Sequence, residues 1–274
     1  MNLKITTLIE DSPGRCDECE NGLSFFVESE DFSILFDTGK SGKFIENANS
    51  MDVDIRKAKH VVISHGHYDH TNGLVDFIER VNNDFEVFLG DNFFRKKYSF
   101  NGRKYSYKGS NFTREYLDEN GIKIRYVNED VAEIFKGVYL FSNFERNSEF
   151  ESTAPVFYVK EDGRFVLDDF SDEIAMAVDS DKGLVVLLGC SHPGIVNMLE
   201  SIQKRTNRSI YAVMGGAHLI DSDEDRIKAT CEKIKSMGIK HIGMSHCTGE
   251  DAARYMRKNI CGYFENHSGN VIEI

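Results

Sequence analysis

Four side chains that can bind a metal ion lie within six consecutive residues of this chain. They are His65, His67, Asp69 and His70, in the pattern His-x-His-x-Asp-His. Imidazole nitrogens and carboxylate oxygens are ligands of zinc, and they also suit iron and manganese. The chain of 274 residues has nine histidines, so chance rarely produces such a cluster. The alternation predicts two adjacent metal ions, with His65 and His67 at one and Asp69 and His70 at the other.

The loop that must position these ligands lies between a predicted strand and a predicted helix. The β-branched run 59–63 precedes it, and the helix-like residues 74–81 follow Gly73. A regular helix cannot aim four such closely spaced side chains at one place, whereas a strand-to-helix loop can turn to do so. We therefore expect the ligands just beyond the carboxyl end of a strand, where α/β proteins bind their ligands.

Three later strands are predicted to end in the same way. The apolar runs 183–188, 209–214 and 240–244 each lead into a turn of small residues that contains one histidine, and a helix follows. The three histidines are His192, His218 and His246. Because the arrangement is repeated three times, we expect these side chains to gather at the same edge as the first cluster.

Composition limits the class of protein. A hydrophobic content of 41% predicts a well-formed core, and 274 residues allow one large α/β domain. The net charge of −12 argues against a general affinity for nucleic acid or for anionic membranes. No apolar run is long enough to span a bilayer, and residues 1–10 alternate like a strand rather than a signal peptide. We expect a cytoplasmic protein that does not bind membranes.

The six cysteines are expected to be free thiols. Cys16 and Cys19 form a CxxC pair, but a structural zinc site needs a second close pair, which the sequence lacks. A redox or metal-binding role for this pair remains the alternative.

An aspartate follows the predicted strand 33–36. Asp37 could accept a hydrogen bond from a metal-bound imidazole and so fix the tautomer and orientation of that ring. The alternative is that Asp37 caps the helix-like stretch 41–49.

Residues 91–120 form a predicted cap over the metal site. Between residues 95 and 114 there are seven basic side chains and no acidic one, with aromatic residues interleaved. Arg95, Lys96 and Lys97 are candidates to bind an anionic substrate, while the aromatic rings could stack on it. A single-stranded nucleic acid or a solvated loop anchored by its aromatic residues would also fit. The acidic turn 168–173 is expected to be a mainly solvated face.

Taken together, these residues resemble the metallo-β-lactamase superfamily. The signature at residues 65–70 is joined by Asp37-Thr38-Gly39, by Gly189-Cys190-Ser191-His192 and by Ser245-His246. The strings 21–25, 189–197, 215–219 and 245–249 are similar to one branch of small-molecule enzymes in that superfamily. The branch is named for 7,8-dihydropterin-6-yl-methyl-4-(β-D-ribofuranosyl)aminobenzene 5′-phosphate synthase. The resemblance implies a single domain, residues 1–274, folded as a four-layer αββα sandwich of the α/β class, with metals at one edge.

The resemblance also implies which residues bind each metal ion. The first ion would be held by His65, His67 and His192, and the second by Asp69, His70 and His246. Many members of the superfamily carry a bridging carboxylate after the strand that is predicted here at 209–214. This chain has Gly215-Gly216-Ala217-His218 instead. One or two divalent ions are therefore expected, with zinc favoured and iron or manganese possible, and His218 is a site residue that need not be a ligand.

The expected activity is that of a metal-dependent hydrolase or transferase acting on a small, anionic or phosphorylated substrate. A metal ion with three protein ligands lowers the pKa of its bound water to about 7 and so supplies hydroxide. Asp69 would hold this hydroxide or accept its proton, and His218 would donate to a phosphate or carbonyl oxygen. In a synthase-like reaction the metals would instead stabilise a diphosphate leaving group. The alternatives are a non-haem iron redox enzyme, a nucleic-acid phosphodiesterase and a module with a structural metal.

Overall fold

The computed structural model describes residues 2–274, which contain eighteen strands and seven α-helices. The strands of the first half are β1 (Lys4–Ile9), β2 (Ser24–Glu28), β3 (Ser33–Phe36), β4 (His60–Val62), β5 (Glu86–Gly90), β6 (Lys96–Phe100), β7 (Tyr105–Tyr107), β8 (Lys123–Val127) and β9 (Val131–Phe135). Those of the second half are β10 (Val138–Phe141), β11 (Phe157–Glu161), β12 (Arg164–Leu167), β13 (Ala175–Ser180), β14 (Gly183–Leu187), β15 (Ile210–Gly216), β16 (His241–Ser245), β17 (Tyr263–Glu265) and β18 (Val271–Glu273).

The helices follow the main strands. They are α1 (Lys43–Ser50), α2 (Tyr68–Thr71), α3 (Gly73–Arg80), α4 (Arg114–Glu119), α5 (Ile195–Thr206), α6 (Glu224–Ser236) and α7 (Glu250–Asn259). The longer helices bury one face, as in α5, where Ile195, Leu199 and Ile202 are inaccessible to solvent. This spacing of apolar residues is what attaches a helix to a sheet.

Two seven-stranded sheets pack face to face. One has the order β18-β1-β2-β3-β4-β5-β8 and the other β17-β16-β15-β14-β13-β10-β9. Phe25, Phe36 and Val62 of the first sheet share a buried core with Val185 and Met214 of the second. The helices α1, α3 and α4 cover the outer face of the first sheet, and α5, α6 and α7 cover that of the second. The predicted four-layer αββα sandwich is confirmed.

The cap is a third, smaller sheet with the order β12-β11-β6-β7. Its strands β6 and β7 lie within the predicted cap, residues 91–120, but the other two come from residues 157–167. Sequence reasoning predicted the first segment and missed its pairing with the second. The predicted cap segment 91–120 contacts the loop of candidate ligands at residues 64–70 (the metal loop). The N–H of Tyr68 donates to the carbonyl of Lys108 at 2.8 Å.

Two further expectations concern the whole chain. The six cysteines are free thiols, as predicted, with Cys16 buried and Cys19 half-buried. In residues 2–274, every helix is too short or too polar to cross a membrane.

Candidate metal centre

The predicted ligands of the first metal ion lie together at the edge of the sandwich. His65 and His67 follow β4, and His192 follows β14. The ring of His65 lies 4.8 Å from that of His67 and 4.9 Å from that of His192, measured between centroids. Nε2 of His65 approaches Nδ1 of His67 to 3.1 Å. The fold therefore brings His192 beside two imidazoles that precede it in the sequence by more than a hundred residues.

The predicted ligands of the second metal ion lie beside the first group. The ring of His70 is 4.4 Å from that of His65 and 5.0 Å from that of His246. Nε2 of His246 lies 3.5 Å from a carboxylate oxygen of Asp69. All six predicted ligands thus lie in one cluster, with the two expected groups adjacent.

Unusual backbone conformations turn the chain at this edge. Asp37, Ser191, His218 and His246 have φ angles of 58°, 60°, 46° and 53°, respectively. Residues other than glycine seldom adopt positive φ, and such strain tends to concentrate at functional sites. Three of these four positions were candidate site residues in the sequence.

Asp37 fixes the orientation of His70. Its Oδ2 accepts hydrogen bonds from His70 Nδ1 at 2.6 Å and from the Ser64 hydroxyl at 2.7 Å, and its Oδ1 accepts from Ser64 N–H at 2.7 Å. With the proton of His70 on Nδ1, the lone pair of Nε2 points into the cluster. The alternative role as a helix cap is wrong, because α1 begins after Gly42 and has no side-chain cap.

Asp11 makes the same contact with His246 and was missed in the sequence. Its Oδ1 accepts from His246 Nδ1 at 2.6 Å, while the neighbouring Glu10 accepts from His246 N–H at 2.7 Å. Like Asp37, Asp11 lies just beyond the end of a strand, here β1, and that shared position is the signal that could have identified it.

The electrostatics differ between the two groups. Burial lowers the pKa of His65, His67 and His192 well below the ordinary value, so these rings are neutral and can offer lone pairs. Burial would also lower the pKa of His246, but hydrogen bonds to Asp11 and Asp69 raise it well above the ordinary value. The two carboxylates thus favour a cation at this position, either the protonated imidazole of His246 or a metal ion in place of its proton.

Several nitrogens of the cluster lack hydrogen-bond partners. Within residues 2–274, Nε2 of His67 and both ring nitrogens of His192 are buried without a partner. Buried polar atoms normally find partners, so such atoms need an explanation. A metal ion bound by neutral imidazoles supplies one, and the donor set of histidine and carboxylate fits zinc, iron or manganese.

Cys190 lies between the two groups and was not among the predicted ligands. Its sulfur is within 4.8 Å of ligand atoms of His65 and His192 on one side, and of His70 and His246 on the other. Nε2 of His70 is 3.2 Å from this sulfur. Burial raises the pKa of the Cys190 thiol well above its ordinary value in the metal-free protein. The motif at residues 189–192 contained the signal, but only its histidine was selected.

A cavity of about 200 Å³ opens onto the cluster. Its walls come from the metal loop, the cap and the ends of β15 and β16. Side chains outside the six predicted ligands that line it include Tyr68, Lys108, Phe157, Cys190 and His218. The half-buried ammonium of Lys108 lies 5.1 Å from the centre of the Tyr68 ring. The cavity thus combines one cation and two aromatic rings with the candidate metal ligands.

The three basic residues proposed for substrate binding are placed elsewhere. Arg95 pairs with Glu161 at 3.2 Å and with Asp169 at 3.0 Å, and Lys96 is exposed. Lys97 is buried, and its ammonium pairs with Asp168 and Asp172. These three do not line the cavity, which Lys108 and His218 do. Which basic residues of this segment face the cavity depends on the pairing of β6 with β11, which sequence reasoning did not predict.

The acidic turn is also not the solvated face that the sequence suggested. Asp168, Asp172 and Glu173 are all buried. Glu173 accepts hydrogen bonds from the backbone N–H groups of Ser191 at 2.8 Å and His192 at 3.3 Å. This turn therefore supports the strand end that carries His192.

These features define a protein with an αββα sandwich and histidine-rich loops at one sheet edge that could hold metal ions. A family model for the metallo-beta-lactamase superfamily matches residues 17–189. The chain belongs to this superfamily. It is 33% identical over 287 residues to 7,8-dihydropterin-6-methyl-4-(beta-D-ribofuranosyl)-aminobenzene-5'-phosphate synthase of Methanocaldococcus jannaschii, covering 99% of this chain and 97% of that one.

Further relatives and solved structures match the chain over nearly its whole length. An uncharacterised protein of Methanocaldococcus jannaschii is 27% identical over 93% of this chain and 94% of its own. The crystal structure of Tm1679, a metal-dependent hydrolase of the beta-lactamase superfamily, matches with a TM-score of 0.87 and 32% identity over 99% of both chains. A diphosphatase of the PhnP family, at 15% identity and a TM-score of 0.55 over 100% of this chain and 98% of its own, shares the fold alone.

Proposed function

We propose that this protein is a metal-dependent enzyme that hydrolyses or transfers a group of a small, phosphorylated substrate. The observation that carries the proposal is the convergence of His65, His67, Asp69, His70, His192 and His246 beside a cavity containing Lys108. The similarity to a synthase with a phosphorylated product supports it. So does the similarity to a metal-dependent hydrolase.

The residues around the bound metal ion would have different roles in the reaction. When bound, a divalent cation supplies Lewis-acid chemistry and a nucleophilic oxygen at neutral pH. Asp69 is a carboxylate with a pKa held below its ordinary value, since the hydrogen bond to His246 and the nearby histidines outweigh burial. Asp69 is therefore ionised, and its carboxylate would orient an attacking group by accepting a hydrogen bond and would take up the proton as the bond forms. His218, whose ring centroid lies 4.4 Å from that of His192, can donate to a phosphate oxygen, and Tyr68 and Phe157 can contact an aromatic ring.

Metal removal is the first test. Dialysis against a strong chelator should abolish activity on the phosphorylated substrate class, and zinc, manganese or iron(II) should restore it. His65→Ala should not recover on addition of metal, whereas His241→Ala should behave as wild type, because His241 is exposed and contacts Tyr211. Full activity in metal-free protein would contradict the proposal. Product analysis in ¹⁸O-labelled water then separates hydrolysis, which incorporates solvent oxygen, from transfer, which does not.

Lys108 gives a second prediction. Lys108→Met should raise KM for a phosphorylated substrate by roughly 10-fold or more, because a hydrogen bond to a charged group contributes about 1.5–3 kcal/mol. The effect on kcat should be smaller, since a cation that holds the unreacting phosphate binds ground state and transition state alike. Steady-state kinetics would measure both constants. Lys104→Met is the matched control, because Lys104 is exposed on the same segment and does not line the cavity. Equal KM values for the two variants would contradict this role.

A further inference from the structure

Cys190 occupies a central position in the metal centre. It lies just beyond β14, buried, with its sulfur within 4.8 Å of ligand atoms from both groups of histidines. His65 and His192 approach from one side, and His70 and His246 from the other. In residues 2–274 it is the one side chain shared by the two clusters that could each hold a metal ion.

The neighbouring strand β15 has no side chain that could lie between the two clusters. β15 ends in Gly215-Gly216, and the next acidic residue along the chain is Asp221. A Cβ atom on Gly216 would collide with the sulfur of Cys247 and lie 2.8 Å from the carbonyl oxygen of Gly189. A carboxylate therefore cannot enter from position 216, and the sulfur of Cys190 on the adjacent parallel strand fills the place between the clusters.

We propose that the thiolate of Cys190 is a ligand shared by two metal ions, joining the His65–His192 group to the His70–His246 group. This inference rests on the proposed metal centre. Thiolate sulfur binds zinc at about 2.3 Å, and coordination displaces the thiol proton, which passes to solvent. A sulfur ligand also favours zinc over the harder cations that prefer carboxylate and water.

X-ray absorption at the zinc edge tests the shared position. In wild-type protein loaded with two equivalents of zinc, a sulfur neighbour is expected at about 2.3 Å. A bridging thiolate is counted by both ions and gives an average of one sulfur per zinc, whereas a thiolate on one ion gives half. An average of one supports the proposal, and an average of half or none overturns it. Protein that takes up no zinc overturns the proposed metal centre as well, so the two failures are distinguishable.

Cobalt substitution identifies the cysteine. Wild-type protein loaded with cobalt(II) should show an intense near-ultraviolet thiolate-to-metal band, which Cys190→Ser should lose. Cys247→Ser and Cys231→Ser should keep it, and loss of the band in Cys247→Ser instead would overturn the assignment to Cys190. Cys190→Ser should also weaken binding of the second cobalt ion. This effect should exceed the roughly 10–100-fold weakening that removal of an outer hydrogen-bond partner causes. Cys190→Asp, which retains an anionic ligand, should bind two cobalt ions without the band; binding with the band would overturn the proposal.

Discussion

Lys97→Met is expected to lower the free energy of unfolding by about 3–5 kcal/mol. The Lys97 side chain is 1% exposed, and its ammonium lies 2.8 Å from a carboxylate oxygen of Asp168 and 2.8 Å from one of Asp172. Burial would lower the pKa of Lys97, but these two carboxylates raise it overall. Methionine has a similar shape without the charge, so the substitution leaves two buried carboxylates facing each other. Unpaired buried charge is among the most destabilising changes in a protein.

Thermal and urea unfolding would measure this effect, and the adjacent lysine provides the control. A loss of this size corresponds to a fall in Tm of roughly 6–20 °C, at about 2–4 °C per kcal/mol for chains of 150–250 residues. Lys96→Met makes the same chemical change on the exposed face of β6 and should alter stability by about 0.5 kcal/mol or less. If both variants unfold alike, the buried ion cluster does not have the energetic role assigned to it.

The same ion cluster couples the cap to the metal loop. Asp172 accepts from the N–H of Gly66, between the candidate ligands His65 and His67, at 2.8 Å. Asp168 accepts from the N–H of Phe170 at 2.9 Å, and the Phe170 ring stacks on His192 at 3.8 Å between centroids. Lys97→Met should therefore also weaken metal binding, whereas Lys96→Met should not. The two carboxylates account for the burial of the Lys97 ammonium.

Sequence reasoning identified the strands and histidines because both signals are local. The runs 33–36 and 138–141 were predicted with the bounds the structure gives, and the strand ends that carry His192, His218 and His246 were located within one or two residues. Apolar continuity and a following turn are properties of neighbouring residues. Whether the clustered side chains bind metal remains a prediction that the experiments above address.

The contacts that sequence reasoning missed are long-range. Asp11 meets His246 across 235 residues, and Lys97 meets Asp172 across 75. A charged residue is predicted to be exposed when its partner is unknown. For this reason Lys97 was assigned to substrate binding and Asp172 to a solvated face. Cys190 was overlooked for a related reason, since its central position is defined by four histidines drawn from three different loops. Such long-range contacts can be identified only when the order of the strands in the sheets is known.

Asp37→Asn is expected to weaken binding of the metal at the His70 site by roughly 10–100-fold. Both carboxylate oxygens of Asp37 accept hydrogen bonds. Oδ1 accepts from Ser64 N–H, and Oδ2 accepts from the Ser64 hydroxyl and from His70 Nδ1. An asparagine that keeps its oxygen toward Ser64 N–H must present its amide group to His70. The imidazole then accepts at Nδ1 and carries its proton on Nε2, the nitrogen that faces the cluster. In this tautomer the remaining lone pair is on Nδ1, which faces the amide introduced at position 37, so the nitrogen that faces the cluster has none to offer a metal ion.

Chelator-competition titrations with zinc measure the affinity, and nitrogen chemical shifts of the histidines in metal-free protein report the tautomer. Asp11→Asn should likewise weaken zinc binding at His246, because Asp11 accepts from Nδ1 of that ring at 2.6 Å. Asp76→Asn is the control, since Asp76 pairs with Arg80 on the outer helix α3. Unaltered zinc affinity in Asp37→Asn, with the protein folded, would contradict the tautomer argument. A shifted tautomer with weakened affinity would instead show that a carboxylate behind the histidine, and not the histidine alone, determines whether this edge of the sandwich can hold a metal ion.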